Sequence, residues 1–435
     1  MIRFLLAALL ISSAPAFGAV TEFLHTFKKV KATDQFWAEG AAIGDFNHDG
    51  KMDVVSGAYW YEGPDFKKRH EVYPATATFK RKKADGVEQT IPGFEGALGV
   101  NNAYSDCFLT FTYDFNGDGW MDVIVYGFPG KEVPWFENPQ NRPGHWPRHV
   151  IFDVLDNESP CFMDITGDGK PEILCCSKGF IGYAEADWAN PAAPWKFHAV
   201  SPKGAYQRFS HGIGAGDING DGRIDIIEKD AWWEQPASVA NDPVWTKHEF
   251  VFAPAAAQML VYDVNGDGLN DVITCINAHG YGLSWFEQVR ADGKISFKEH
   301  TILKKDAAKD RYGVQFSQPH ALALVDMDND GLMDFVTGKR FWAHGKDGPD
   351  PESNAAAVLY WFRLTRPAKG QAEFVPHLID EDSGVGTEVM PGIVSNPKYA
   401  DIVVGNKKGV FVFKHQAKEV PHAEWEKAQP KPLSN

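Results

Sequence analysis

The nine-residue stretch Asp263-Val-Asn-Gly-Asp-Gly-Leu-Asn-Asp271 recurs in six copies, and nothing else in the chain constrains its fold as strongly. Oxygen-bearing side chains stand at positions one, three, five and nine of every copy. They are Asp45, Asn47, Asp49 and Asp53; Asp114, Asn116, Asp118 and Asp122; Asp164, Thr166, Asp168 and Glu172; Asp217, Asn219, Asp221 and Asp225; Asp263, Asn265, Asp267 and Asp271; and Asp326, Asp328, Asp330 and Asp334. Position six is always Gly, which allows the positive φ of a sharp turn while the alternate oxygens face one point. A hard cation taking carboxylate and amide oxygens suits that arrangement, so up to six structural Ca²⁺ ions are expected.

An EF-hand shares the first half of this spacing but needs a bidentate Glu at position twelve and a helix on each side. Position twelve here reads Ser56, Val125, Cys175, Glu228, Thr274 and Thr337, so only one copy qualifies. Strand-like runs follow the ninth position instead, among them Val123-Ile124-Val125 and Ile226-Ile227. Aromatic runs come next, such as Tyr59-Trp60-Tyr61-Glu62 and Ala231-Trp232-Trp233-Glu234. A short strand carrying His closes each unit, around His70, His149, His198, His248, His300 and His377, with another around His25 near the N-terminus. A His repeated at one strand position is read as packing and hydrogen bonding.

Four short antiparallel strands every 46 to 69 residues predict propeller blades. A last unit, Gly392 to His415, keeps the strands but not the earlier ligands and has no His strand of its own. The spare N-terminal strand would complete it. The expectation is an all-β, seven-bladed β-propeller over residues 20–415, closed by that strand, with Ca²⁺ loops in six blades; closure would remove exposed sheet edges.

The Asp-x-Asn-x-Asp-Gly-x-x-Asp loop followed by an apolar strand resembles the FG-GAP/VCBS repeats of integrin-alpha-type β-propellers, over about residues 20 to 415. That resemblance implies the propeller fold and calcium binding. Such propellers include adhesion modules, lectin-like binders and carbohydrate-active lyases or dehydratases, and there is a remote similarity to the propeller domain of aldos-2-ulose dehydratases. The extra domains of those enzymes are not expected within this length.

Residues 1–19 read as a signal peptide: Arg3, an apolar run from Phe4 to Ile11, and a small-residue site near Ala14-Pro15-Ala16. That run is too short to span a bilayer, and no later run approaches the required length, so a secreted or periplasmic, soluble monomer is expected. Residues 416–435 read as a flexible C-terminal tail. A formal net charge of −15 argues against nucleic acid, and 19 of the 58 acidic residues sit in the six loops. The five cysteines show no zinc spacing and leave a disulfide undecided.

Because each loop joins the first two strands of a blade, the start of the first strand and the end of the second lie on the face opposite the metal. Six residues before each loop, and at the matching place in the last unit, stand Glu39, Phe108, Glu158, His211, Ala257, His320 and Thr387. The second-strand ends add Lys178, Lys229, His279, Lys339, Arg340 and His344, with the aromatics Tyr126 and Trp232 beside them. Two insertions, Thr76 to Ser105 and His344 to Ala357, are placed to cover this funnel mouth. Three chemistries stay open: binding of a carbohydrate or a cell-surface protein; acid/base lyase or dehydratase work by His211, His320 and Glu158 on a sugar; or an additional divalent metal on His211, His320 and Glu158.

Overall fold

Each ninth-position acid is the first residue of a strand, where its carboxylate takes up backbone N–H groups that the loop would otherwise leave unmatched. In the computed structural model, which describes residues 21–75, 78–82, 85–92 and 104–433, Asp53 accepts from the N–H of Phe46 at 3.0 Å and of Gly63 at 2.7 Å. Asp122, Asp225, Asp271 and Asp334 do the same between the second loop residue and the end of the third strand. Asp401, in the unit without the other ligands, also does so, accepting from Val394 and His415. The ninth position is therefore a fold brace in its own right. The sixth-position Gly has φ between 78° and 89° in all six loops, as the turn requires. The fourth position is left-handed too, including the non-glycines His48 and Asn329.

The strands build an all-β propeller. A representative unit runs Ala42–Gly44, Asp53–Ser56, Tyr59–Tyr61 and Arg69–Glu71 in one antiparallel meander. Among the described residues, five four-stranded sheets stand alone and one sheet has eight strands. This differs from seven separate blades because Ile213–Gly216 and Gln258–Tyr262 pair in parallel, with Ile213 opposite Gln258. Gly214 permits the approach: a Cβ there would lie 1.8 Å from the Met259 carbonyl oxygen.

The recurrent His strands have a common role. His70, His149, His198, His248, His300 and His377 each sit directly opposite an aromatic of the neighbouring strand, with ring centroids 4.0 to 4.9 Å apart. Five of them also reach the Glu that ends the aromatic run, at 2.7 to 3.1 Å. Cross-strand stacking and the His–Glu contact add to the strand pairing that holds the outer strand to the blade. His25 departs from the pattern and meets His415 instead, nitrogen to nitrogen at 2.9 Å.

Thr21–Thr33 pairs with Gly409–Pro421 along its length, so the first and last described strands share one sheet. That pairing corrects the expectation of a flexible tail over 416–435. Residues 416–421 find strand partners in 21–26, His422–Ala428 is helical, and the Leu433 N–H donates to the Arg311 carbonyl at 2.7 Å. The expected signal peptide, and much of the first insertion, lie outside the described residues.

Hydrophobic clusters join adjacent sheets: Phe46, Val55 and Trp60 pack with Val125, Phe136 and Trp146. Amide side chains add a clamp that the sequence pattern did not reveal. Gln288 Nε2 donates to the Ile218 carbonyl of the preceding loop at 2.8 Å, and Asn138 and Gln235 do likewise to Phe46 and Ile165. The five cysteines are all free thiols, and burial raises the Cys275 thiol to about 12.

Candidate ligand site at the funnel mouth

Segments from separate blades bring Glu158, His211, His279 and His320 together, each with one ligand atom within 4.8 Å of the others. Glu158 and His320 precede the inner strands Cys161–Met163 and Leu322–Val325, and His211 precedes Ile213–Gly216. His279 follows the second strand Asp271–Cys275. The rings of His211 and His320 lie 5.4 Å apart, so they converge on one point.

Backbone geometry sets both histidines. Phe209 and Gln318, each two residues before a site histidine, are non-glycine residues at φ 67° and 63°. The Phe209 turn aims its carbonyl at His211 Nδ1, 2.9 Å away. A carbonyl only accepts, so Nδ1 carries the proton and a neutral His211 presents a bare Nε2. That Nε2 lies 3.1 Å from His279 Nε2 and 3.8 Å from Glu158.

Glu158 also meets His320 Nε2 at 3.2 Å and Arg340 Nη1 at 3.4 Å. Arg340 and His320 are fully buried, and Arg340 Nε donates to Glu39 at 3.0 Å. Burial alone would raise the Glu158 carboxyl, but the His320 hydrogen bond and the nearby positive charges hold it well below the usual range. Burial, helped by Arg340, pushes His320 down to about 4, so at neutral pH it is uncharged and Arg340 is the cation that keeps Glu158 ionised. Burial lowers His211 and His279 as well. The site thus holds neutral imidazoles beside a buried Glu39–Arg340–Glu158 chain.

His344 and Asp350 come from the second insertion, as its placement suggested. His344 Nδ1 bonds Asp350 at 2.8 Å, and its ring lies 4.5 Å from that of His279. Asp350 was missed in the sequence; its place in an insertion over the mouth was the available signal. Other expected ligand residues are elsewhere engaged. Tyr126 and Trp232 are core residues, Trp232 being spent on His248. Lys178 pairs with Asp153 and Lys229 with its neighbour Asp230. Lys339 donates to Ser317 Oγ at 2.6 Å, and burial lowers it to about 8. Phe108, Ala257 and Thr387 are buried; Thr387 Oγ1 donates to the Phe108 carbonyl.

The six acidic loops lie at the other ends of these strands. In two of them acidic oxygens converge within 4.8 Å: Asp164, Asp168 and Glu172 in the third loop, and Asp326, Asp328 and Asp334 in the sixth. In the sixth loop Arg363 also bonds Asp328 at 2.5 Å and Asp330 at 3.1 Å. No helix among the described residues is long and apolar enough to cross a membrane.

The chain carries FG-GAP-like repeats, matched over residues 114–175 and 263–337. No curated protein matches it. Among solved structures it is similar to an Agrocybe aegerita lectin that recognises non-reducing terminal N-acetylglucosamine, at 18% identity and a TM-score of 0.44, over 84% of this chain and 82% of that one. It is similar to rhamnogalacturonan lyase YesW at 13% identity and a TM-score of 0.39, over 90% and 72% of the two chains. It is also similar to a protein from Lactobacillus plantarum at 9% identity and a TM-score of 0.42, over 80% and 86%.

Proposed function

We propose that this is a secreted, calcium-stabilised propeller that binds a carbohydrate at the funnel mouth. The observation that carries the reading is the convergence of His211, His279, His320 and Glu158 beside a buried Arg340. Neutral imidazoles and a carboxylate held by Arg340 exchange hydrogen bonds with hydroxyls, the polar groups a carbohydrate presents. The eight-stranded sheet reads as two blades joined at their inner strands, which makes seven, closed by the pairing of Thr21–Thr33 with Gly409–Pro421. Ca²⁺ in the acidic loops would hold the face opposite the ligand, as a monomer, with residues 1–19 removed on export. The first experiment is a thermal-shift screen of neutral oligosaccharides and uronates, with His211→Ala as the control. A ligand-induced rise in Tm that disappears in the variant supports the reading, and a panel without any His211-dependent shift overturns it.

A second reading, a lyase or dehydratase acting on a sugar, is favoured by one detail. His211 presents a bare Nε2 toward the same point that Glu158 and His320 address, the arrangement a general base requires. Formation of an unsaturated, ultraviolet-absorbing product from a uronate would select it over simple binding.

A further inference from the structure

The contact between His211 and His279 is electrically inconsistent in the absence of a cation. His211 Nε2 is bare, because its Nδ1 proton serves the Phe209 carbonyl. If His279 also leaves Nε2 bare, two lone pairs face each other at 3.1 Å. If His279 places its proton on Nε2, its Nδ1 lone pair faces the Asp350 carboxylate at 3.8 Å. Each tautomer resolves one conflict and creates the other. The Nδ1 atoms of both His279 and His320 are buried without a hydrogen-bond partner.

A single positive ion removes both conflicts. With a metal among the three Nε2 atoms and Glu158, every imidazole donates a lone pair to it, and the His279 Nδ1–H is free to address Asp350. We propose that His211, His279, His320 and Glu158 form a mononuclear divalent transition-metal centre, with Asp350 and the Phe209 carbonyl orienting its ligands. The separations suit it: metal–nitrogen bonds of about 2.0–2.1 Å at tetrahedral angles set ligand atoms about 3.3 Å apart. The observed edges are 3.1 Å for His211 to His279, 3.2 Å for His320 to Glu158 and 3.8 Å for His211 to Glu158. Three imidazoles and one carboxylate select an ion such as Zn²⁺ over Ca²⁺, whose oxygen-only loops lie at the far ends of the strands. A carboxylate or carbonyl bonded to the second nitrogen is the usual support of a ligating histidine. The centre deepens the ligand reading of this same funnel by supplying a Lewis-acid anchor for hydroxyl or carboxylate oxygens. Its test is read on metal rather than sugar, so the failure of either reading leaves the other standing.

The experiment uses the full chain, stripped with chelator, reloaded with Ca²⁺ in excess and titrated with Zn²⁺ and Co²⁺. The expected result is tight uptake of about one transition ion per chain, with a Co²⁺ absorption spectrum of nitrogen and oxygen ligation. His145→Ala, at an exposed histidine paired with Glu71, should bind as the wild type does. His211→Ala and His279→Ala should bind at least about tenfold more weakly, and Asp350→Asn about 10–100-fold more weakly. Absence of uptake by the Ca²⁺-loaded wild type overturns the proposal. So does a thiolate charge-transfer band, or equal affinity in folded His211→Ala and His279→Ala. The wild-type spectrum decides the matter even if a variant fails to fold.

Discussion

Arg340 and Glu39 meet at 3.0 Å although 301 residues separate them, and both side chains are buried in the throat of the propeller. Glu158, from a third blade, completes the chain of charges. Removing one member of such a set leaves the others buried and unmatched. Arg340→Met should therefore cost about 3–5 kcal/mol, read as a shift in the urea midpoint. Adding Glu39→Gln and Glu158→Gln should restore part of the loss. A single variant as stable as the wild type would show that the charges are matched by water instead.

The ninth loop position should separate brace from ligand. Asp401→Ala removes an acceptor for Val394 and His415 in the unit that lacks the other ligands. It should cost about 2 kcal/mol or more in calcium and in chelator alike, since buried N–H groups lose a charged acceptor. Asp263→Asn, at a first loop position, should lower Tm in calcium and change it little in chelator.

Chelation itself should lower the Tm of the wild type. An ion that binds only the native state stabilises it by about 2.7 kcal/mol per site at a hundred times its Kd. A Tm that does not respond to chelator and calcium would remove the metal from all six loops.

Outer-strand histidines should act on stability alone. His248 stacks on Trp232 at 4.0 Å and bonds Glu234 at 2.8 Å. His248→Ala should cost about 1–2 kcal/mol in chemical unfolding while leaving any His211-dependent ligand shift intact.

Acid should act through the sheet that joins the chain ends and its neighbour. Burial and the Arg363 charge push His377 down to about 3, and burial with His415 pushes His25 down to about 4, from an ordinary value of 6.5. Both are held neutral in the folded protein, so their contribution is complete above about 6.5 and is lost as pH falls through 4 toward 3. His377→Gln should flatten the fall of the unfolding midpoint across that window; an unchanged slope would assign the acid sensitivity to other groups.

The repeat, the acidic loops, the propeller and the structural standing of the outer histidines were legible in the sequence, because these depend on spacing within one blade. Loop glycines need positive φ, alternating strands need partners, and the aromatic of each third strand meets the His of the strand that follows it in the same meander. It also placed Glu39, Glu158, His211 and His320 on one face, since strand direction follows from the loop. Which of them touch emerges from the folded chain alone. Tyr126 and Trp232 turn into the core, Lys178 and Lys229 find partners nearby, and Asp350 enters from an insertion that has no counterpart in the other units. The parallel contact at Gly214, and the pairing that carries the C-terminal segment to Pro421, likewise depend on strands far apart in the chain being brought side by side. Side-chain direction across blades is set by how the sheets pack, and no local pattern encodes that.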